Sequence, residues 1–158
     1  MPQPDWLPAL VLLETYGGNW PAYEEALYEV YLNDFVRQET YFRGNKIALK
    51  RHPELKGKAA TFWHIISEGT VETERLPDLR RCERICWPKP LIENCDEAGV
   101  KVWQEIRNNE PRIHIWLEDM DYVVVLAVRS GYYLLWTAFQ IEFPHQRRKF
   151  QKRYEDNK

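Results

Sequence analysis

Two stretches of the chain carry side chains able to move protons or hold phosphate. The first is Lys56-Gly57-Lys58-Ala59-Ala60-Thr61-Phe62-Trp63-His64, two cations and an imidazole close together. Histidine is the side chain best suited to exchange a proton near neutral pH, and neighbouring cations stabilise a charged phosphorane. The second is Arg80-Arg81-Cys82-Glu83-Arg84, where guanidinium groups three residues apart point the same way on a helical turn and match phosphate oxygens bidentately. Both stretches also fit plainer roles, a packed histidine in one and ion pairs with Asp78 or Glu83 in the other. His52 and His145 sit in basic surroundings that solvation explains.

Other chemistries find no template. The chain has no GxGxxG, no GxxxxGK followed by Ser or Thr, no GxSxG and no HExxH. Its carboxylates form no spaced cluster of the kind a divalent-metal nuclease needs. Cys82 and Cys86 lie four apart without a histidine at zinc-finger spacing, so the three cysteines read as reduced thiols of a cytoplasmic protein. Neither metal nor cofactor is expected. The first basic residue is Arg37 and the apolar stretch Leu7 to Leu13 is broken by Pro8, so no secretory leader is expected. No run approaches the ~20 apolar residues of a membrane span.

The elements that must position these residues follow from periodicity and charge. With 158 residues the chain suits one domain, 1–158, and its 44% hydrophobic content excludes a disordered or fibrous class. The net charge of -2 averages unlike parts. Residues 1–40 hold seven acids and one arginine, whereas 41–158 carry a net +4. Within 43–58, Arg43, Lys46, Lys50, Arg51, Lys56 and Lys58 face a single acid, Glu54. The chain therefore divides into an acidic helical segment (1–42), an α+β core (43–143) and a basic tail (144–158). Helices are expected over 4–15, from Pro21 to about Thr40 and from Lys58 to Ser67, followed by a loop reaching Pro77. A short strand is expected at Ile85 to Trp87. The β-branched and aromatic runs 100–107, 112–117, 122–129 and 132–139 predict a four-stranded antiparallel meander joined by tight turns.

Those turns fix the register, pairing Arg107 with Glu110, Trp103 with His114, Trp116 with Val123 and Arg129 with Tyr132. One face is then apolar and includes Thr137 and Phe139. The other gathers Trp103, Arg107, Arg112, His114, Trp116, Arg129, Tyr132 and Trp136. Such a face could stack bases and hold phosphates, or simply be a solvated face with cross-strand ion pairs.

The order of elements, with Lys50-Arg51-His52-Pro53, Thr61-Phe62-Trp63-His64, Arg80-Arg81-Cys82-Glu83-Arg84-Ile85 and the closing strand Tyr132-Tyr133-Leu134-Leu135-Trp136-Thr137-Ala138-Phe139, resembles the small RNase domains that include barnase, EndoU, the tRNA-cleaving colicins and RelE-type toxins. The likeness is to a bacterial and phage-borne branch of that group and covers roughly residues 43–143. It implies a metal-independent endoribonuclease, of toxin type, that drives the ribose 2′-OH against the adjacent phosphate. By that likeness His64 is the acid or base, and Arg84 and Lys58 stabilise the phosphate. Arg81, His114, Arg129, Tyr132 and Thr137 contact the substrate, an RNA such as tRNA or mRNA. The alternative is a non-catalytic RNA- or protein-binding module whose acidic helices dock a partner; for a toxin, an antitoxin is the implied partner.

Overall fold

The computed structural model describes residues 3–69 and 74–158. Part of the loop expected before Pro77, residues 70–73, lies outside the described residues. The fold class is α+β, as the sequence predicts, but the sheet is larger than the expected meander. Helix α1 (Trp20–Tyr31) starts where the Asn19 side chain accepts the Ala22 amide, and it buries Tyr23, Leu27 and Tyr31 at four-residue spacing. It widens into a π-helical turn at Leu32–Val36, where the Arg37 amide donates to the Leu32 carbonyl, rather than running on to Thr40.

The helix expected over 4–15 is replaced by an extended strap with only a 3-10 turn at Leu13–Tyr16. Pro4 and Pro8 remove backbone donors and disfavour helical geometry in the residues before them. The strap's polar backbone finds other partners: the Trp87 indole donates to the Pro8 carbonyl, the Val11 amide to Glu83, and the Tyr23 hydroxyl to Val11.

Strands β1 (Tyr41–Phe42) and β2 (Asn45–Ala48) form a hairpin about Arg43 and Gly44, both at positive φ. Helix α2 (Ala60–Ile66) is wholly buried, and β3 (Ser67–Glu68) pairs with β4 (Leu76–Pro77) in a two-stranded ladder. The strand expected at Ile85 to Trp87 is instead the turn joining α3 (Leu79–Glu83) to α4 (Pro88–Glu93). Asp78 caps the first of these helices and Pro88 opens the second, so this short apolar run lies between two helical signals.

Strands β5 (Val100–Arg107), β6 (Glu110–Leu117), β7 (Tyr122–Arg129) and β8 (Tyr132–Gln140) pair antiparallel in chain order, in the four predicted registers. Two more strands precede them, β1 at the end of the segment expected to be helical and β2 within the basic run 43–58: β2 lies parallel to β8, giving a mixed six-stranded sheet of order β1-β2-β8-β7-β6-β5.

In β8 the pairing jumps between Val125 opposite Thr137 and Leu126 opposite Leu135, leaving Trp136 as an extra residue. This bulge inverts the side-chain alternation beyond it. Thr137 and Phe139 therefore join the face of Trp103, not the apolar face the uninterrupted register predicts.

One sheet face packs on the N-terminal helices and α4 through Ile113, Ile115, Leu117, Val124, Leu126, Leu135 and Ala138. The second face, expected to be open, is half covered by α5 (Pro144–Asn157). Phe150 packs there against Trp103, Trp116, Val123 and Val125. No helix among the described residues is long and apolar enough to cross a membrane.

Phe150 anchors α5 among four rings, Trp103, His114, Trp116 and Phe139, with centroids 5.8–6.3 Å away. Truncation to alanine should cost about 3–5 kcal/mol in urea unfolding, and Phe150→Leu clearly less. Equal stability of wild type and Phe150→Ala would show that α5 is not part of the folded unit.

Candidate functional site

Trp136, the extra residue of the bulge, stays half-buried on the Trp103 face where α5 stops covering the sheet. The Arg112 guanidinium lies 4.5 Å from the Trp136 ring centroid and that of Arg129 5.8 Å. The His64 ring meets the same indole edge-on at 5.6 Å. Beside it runs a groove of about 530 Å³ lined by Leu49, Lys50, Arg129, Tyr132, Leu134 and Trp136, with Tyr132 47% exposed. Stacked guanidinium and indole groups hold each other flat at little entropic cost.

His64 occupies the last turn of α2, a segment held to β8 through its backbone. Thr137 Oγ1 donates to the His64 carbonyl at 2.9 Å. Arg81 reaches the Ser67 carbonyl at 2.7 Å, the His64 carbonyl at 3.4 Å and Thr137 Oγ1 at 3.5 Å. Burial pushes the Arg81 pKa down, with Asp78 and Glu68 opposing. Of the predicted site residues, His64, Arg81 and Thr137 thus meet, and Arg129 and Tyr132 line the adjoining groove. Thr137 meets Arg81 and His64 only because the bulge has turned it off the apolar face.

The other three lie elsewhere. Lys58 is buried against α1, 2.6 Å from Glu25 and 3.4 Å from Glu24, over the Tyr28 ring. Those two carboxylates already satisfy its charge. Arg84 lays its guanidinium 5.2 Å from the Trp87 ring and donates to the Arg80 carbonyl, and Trp87 in turn packs on Tyr122 at the far end of β7.

His114 lies beneath α5, stacked on Trp103 at 5.0 Å. Its Nε2 faces Arg153 Nη2 at 3.0 Å, and Arg153 Nε donates to Glu105 at 2.9 Å. The Trp103 indole donates to the same carboxylate. Burial, and then the Arg153 charge, push the His114 pKa from 6.5 to about 4, while Glu105 opposes. The imidazole is therefore neutral and accepts from Arg153. Burial alone would raise the Glu105 carboxyl, but hydrogen bonds from Trp103 and Arg153 hold it below the usual range.

Sequence reasoning placed Arg112 and Trp136 on this face without singling them out, and it passed over Arg153. The period-two alternation of β6 carried a signal for Arg112. A charged helix docking over a sheet left none for Arg153, because its tail reads as solvated.

The His114 shift has a consequence for stability. Unfolded imidazole takes up its proton near pH 6.5, whereas folded His114 does so only near 4. Unfolding therefore binds a proton in that window. The contribution of up to about 3 kcal/mol is complete above pH 6.5 and lost as pH falls toward 4. The lowered Glu105 carboxyl loses its contribution in the same direction. Urea midpoints measured against pH should fall through this window, and His114→Gln should flatten the upper part, above the range where carboxylates titrate. An unchanged profile in His114→Gln would contradict the buried neutral imidazole.

No protein-family model, curated protein or solved structure matches the chain, which leaves its own side-chain geometry as the guide to function.

Proposed function

We propose that the chain is a metal-independent endoribonuclease acting on single-stranded RNA across the Tyr132–Trp136 groove. The observation that carries this is the convergence on one half-buried indole of two guanidinium groups and a histidine ring. Bases stack on aromatic faces irrespective of sequence, and guanidinium groups hold the phosphates between them. His64, 7% exposed and edge-on to the indole but outside the groove lining, is the proton carrier, which requires the Trp136 ring to move aside and admit the ribose. Its imidazole takes the proton from the ribose 2′-OH as that oxygen bonds to phosphorus. The bond to the 5′-oxygen breaks, water protonates the departing alkoxide, and the hydroxide so formed takes the proton back from the His64 imidazolium, leaving a cyclic phosphate, a 5′-hydroxyl and a neutral histidine. The nucleophile belongs to the substrate, so no metal-activated water is required.

In this reading Arg81 and Thr137 are positioning residues that fix the α2 turn bearing His64. Lys58 and Arg84 have no part in the chemistry, because each is directed to other partners. The substrate is an RNA with an unpaired segment, such as a tRNA loop or an mRNA, which suits a toxin held in check by a protein antitoxin. The three free cysteines, two of them buried, suit a reducing cytoplasm.

The test is cleavage of total tRNA with EDTA present. His64→Ala should slow cleavage by about 10²- to 10⁴-fold while RNA binding persists. Trp136→Ala should weaken binding by about 1–3 kcal/mol, an affinity loss of about five- to 150-fold. Arg84→Ala should cleave near the wild-type level. Intact RNA in every lane with binding retained would identify a non-catalytic RNA-binding module, a reading favoured by the engagement of Lys58 with Glu24 and Glu25 and of Arg84 with Trp87. Wild type that neither cleaves nor binds RNA would overturn both.

A further inference from the structure

On the other side of Trp136 from the groove lies a second cavity, of about 350 Å³. Three arginines from three elements line it: Arg107 at the end of β5, Arg112 on β6 and Arg153 on α5. His114 and Trp136 complete the polar and aromatic wall, and among the described residues no Asp or Glu lines it. The compensating carboxylates stand outside this lining. Glu105 holds Arg153 at 2.9 Å and Arg107 at 3.8 Å, and Glu110 holds Arg112 at 2.6 Å. Three guanidinium groups against two carboxylates leave a net positive charge beside a neutral imidazole. The Glu105 pair and the Trp136 stack also fix two of the arginines in place, so little rotamer freedom remains to be lost on binding.

We propose that this cavity is a phosphate subsite. Guanidinium groups present paired donors that match phosphate oxygens bidentately, and a preorganised cluster of them selects phosphate over chloride. The inference rests on the RNA reading for its natural ligand: a phosphate of the nucleotide next to the one stacked on Trp136. Because Trp136 walls both the groove and the cavity, a strand crossing the indole places one of its phosphates here. Arg153 makes the subsite depend on α5, so the C-terminal helix is part of the binding surface.

Two probes on the full chain separate the possible sources of phosphate. Inorganic phosphate at constant ionic strength should raise the melting temperature saturably in wild type. Arg107→Gln, an exposed change that leaves the core intact, should weaken that response several-fold, and Arg112→Gln should do the same. A single-stranded oligoribonucleotide with methylated 2′-oxygens should bind Arg107→Gln more weakly, with the salt dependence of log K reduced by about 0.7, the loss of one phosphate contact. Wild-type responses to both probes in Arg107→Gln, which has no part in the Trp136 contacts, would overturn the subsite and leave the RNA reading untouched. A phosphate response that the variants lose, in a chain that binds no oligonucleotide, would support the subsite for free phosphate and overturn the RNA reading.

Discussion

One extra residue in a β-strand decides where the chemistry-bearing side chains of this protein go. A strand alternates its side chains strictly, so the residue added at Trp136 exchanges the faces of everything after it. Without it, Thr137 would carry an unsatisfied hydroxyl into the apolar face and Phe139 would leave the α5 side. With it, the Thr137 hydroxyl reaches the carbonyl of His64 and Phe139 packs beside Phe150, next to the Trp136 indole and its neighbours Arg112 and Arg129. A bulge disrupts the ladder locally, and here it lies between Tyr133 and Leu134, which pair with β2, and Thr137, which bonds to α2.

The second constraint is that a sheet has two faces and the N-terminal helices cover only one. The other face carries Trp103, Trp116 and Val123, too much apolar surface to leave in water. Helix α5 covers that half through Phe150 and Tyr154 and stops short of Trp136. What remains uncovered is the aromatic and basic margin near β8. Cover and opening therefore have the same origin: the length and placement of a single amphipathic helix.

Much of the sheet was legible in the sequence. The Asn108-Asn109 and Ser130-Gly131 turns determine the register of β5 with β6 throughout and that of β7 with β8 from Arg129 opposite Tyr132 to Leu126 opposite Leu135. The bulge was not legible, because nothing in Leu134-Leu135-Trp136-Thr137 distinguishes eight regular residues from nine with one unpaired. The β2 strand was hidden by its basic surroundings, and its pairing with β8 spans most of the chain. Lys58 and Arg84 looked like phosphate ligands because their neighbours in sequence are basic. Their neighbours in space, Glu24 and Glu25 for one and Trp87 for the other, come from distant elements. His64 and Arg81 were found by residue type, but their meeting at Thr137 depends on the bulge.

If RNA stacks on Trp136 as proposed, the indole N–H resonances of the seven tryptophans report it directly. Titration with a single-stranded oligoribonucleotide bearing methylated 2′-oxygens should shift the Trp136 resonance. Those of Trp20, Trp63 and Trp87, whose indoles are bonded to Glu24, Leu55 and Pro8, should stay in place. A titration that moves these three and leaves Trp136 unchanged would contradict the account.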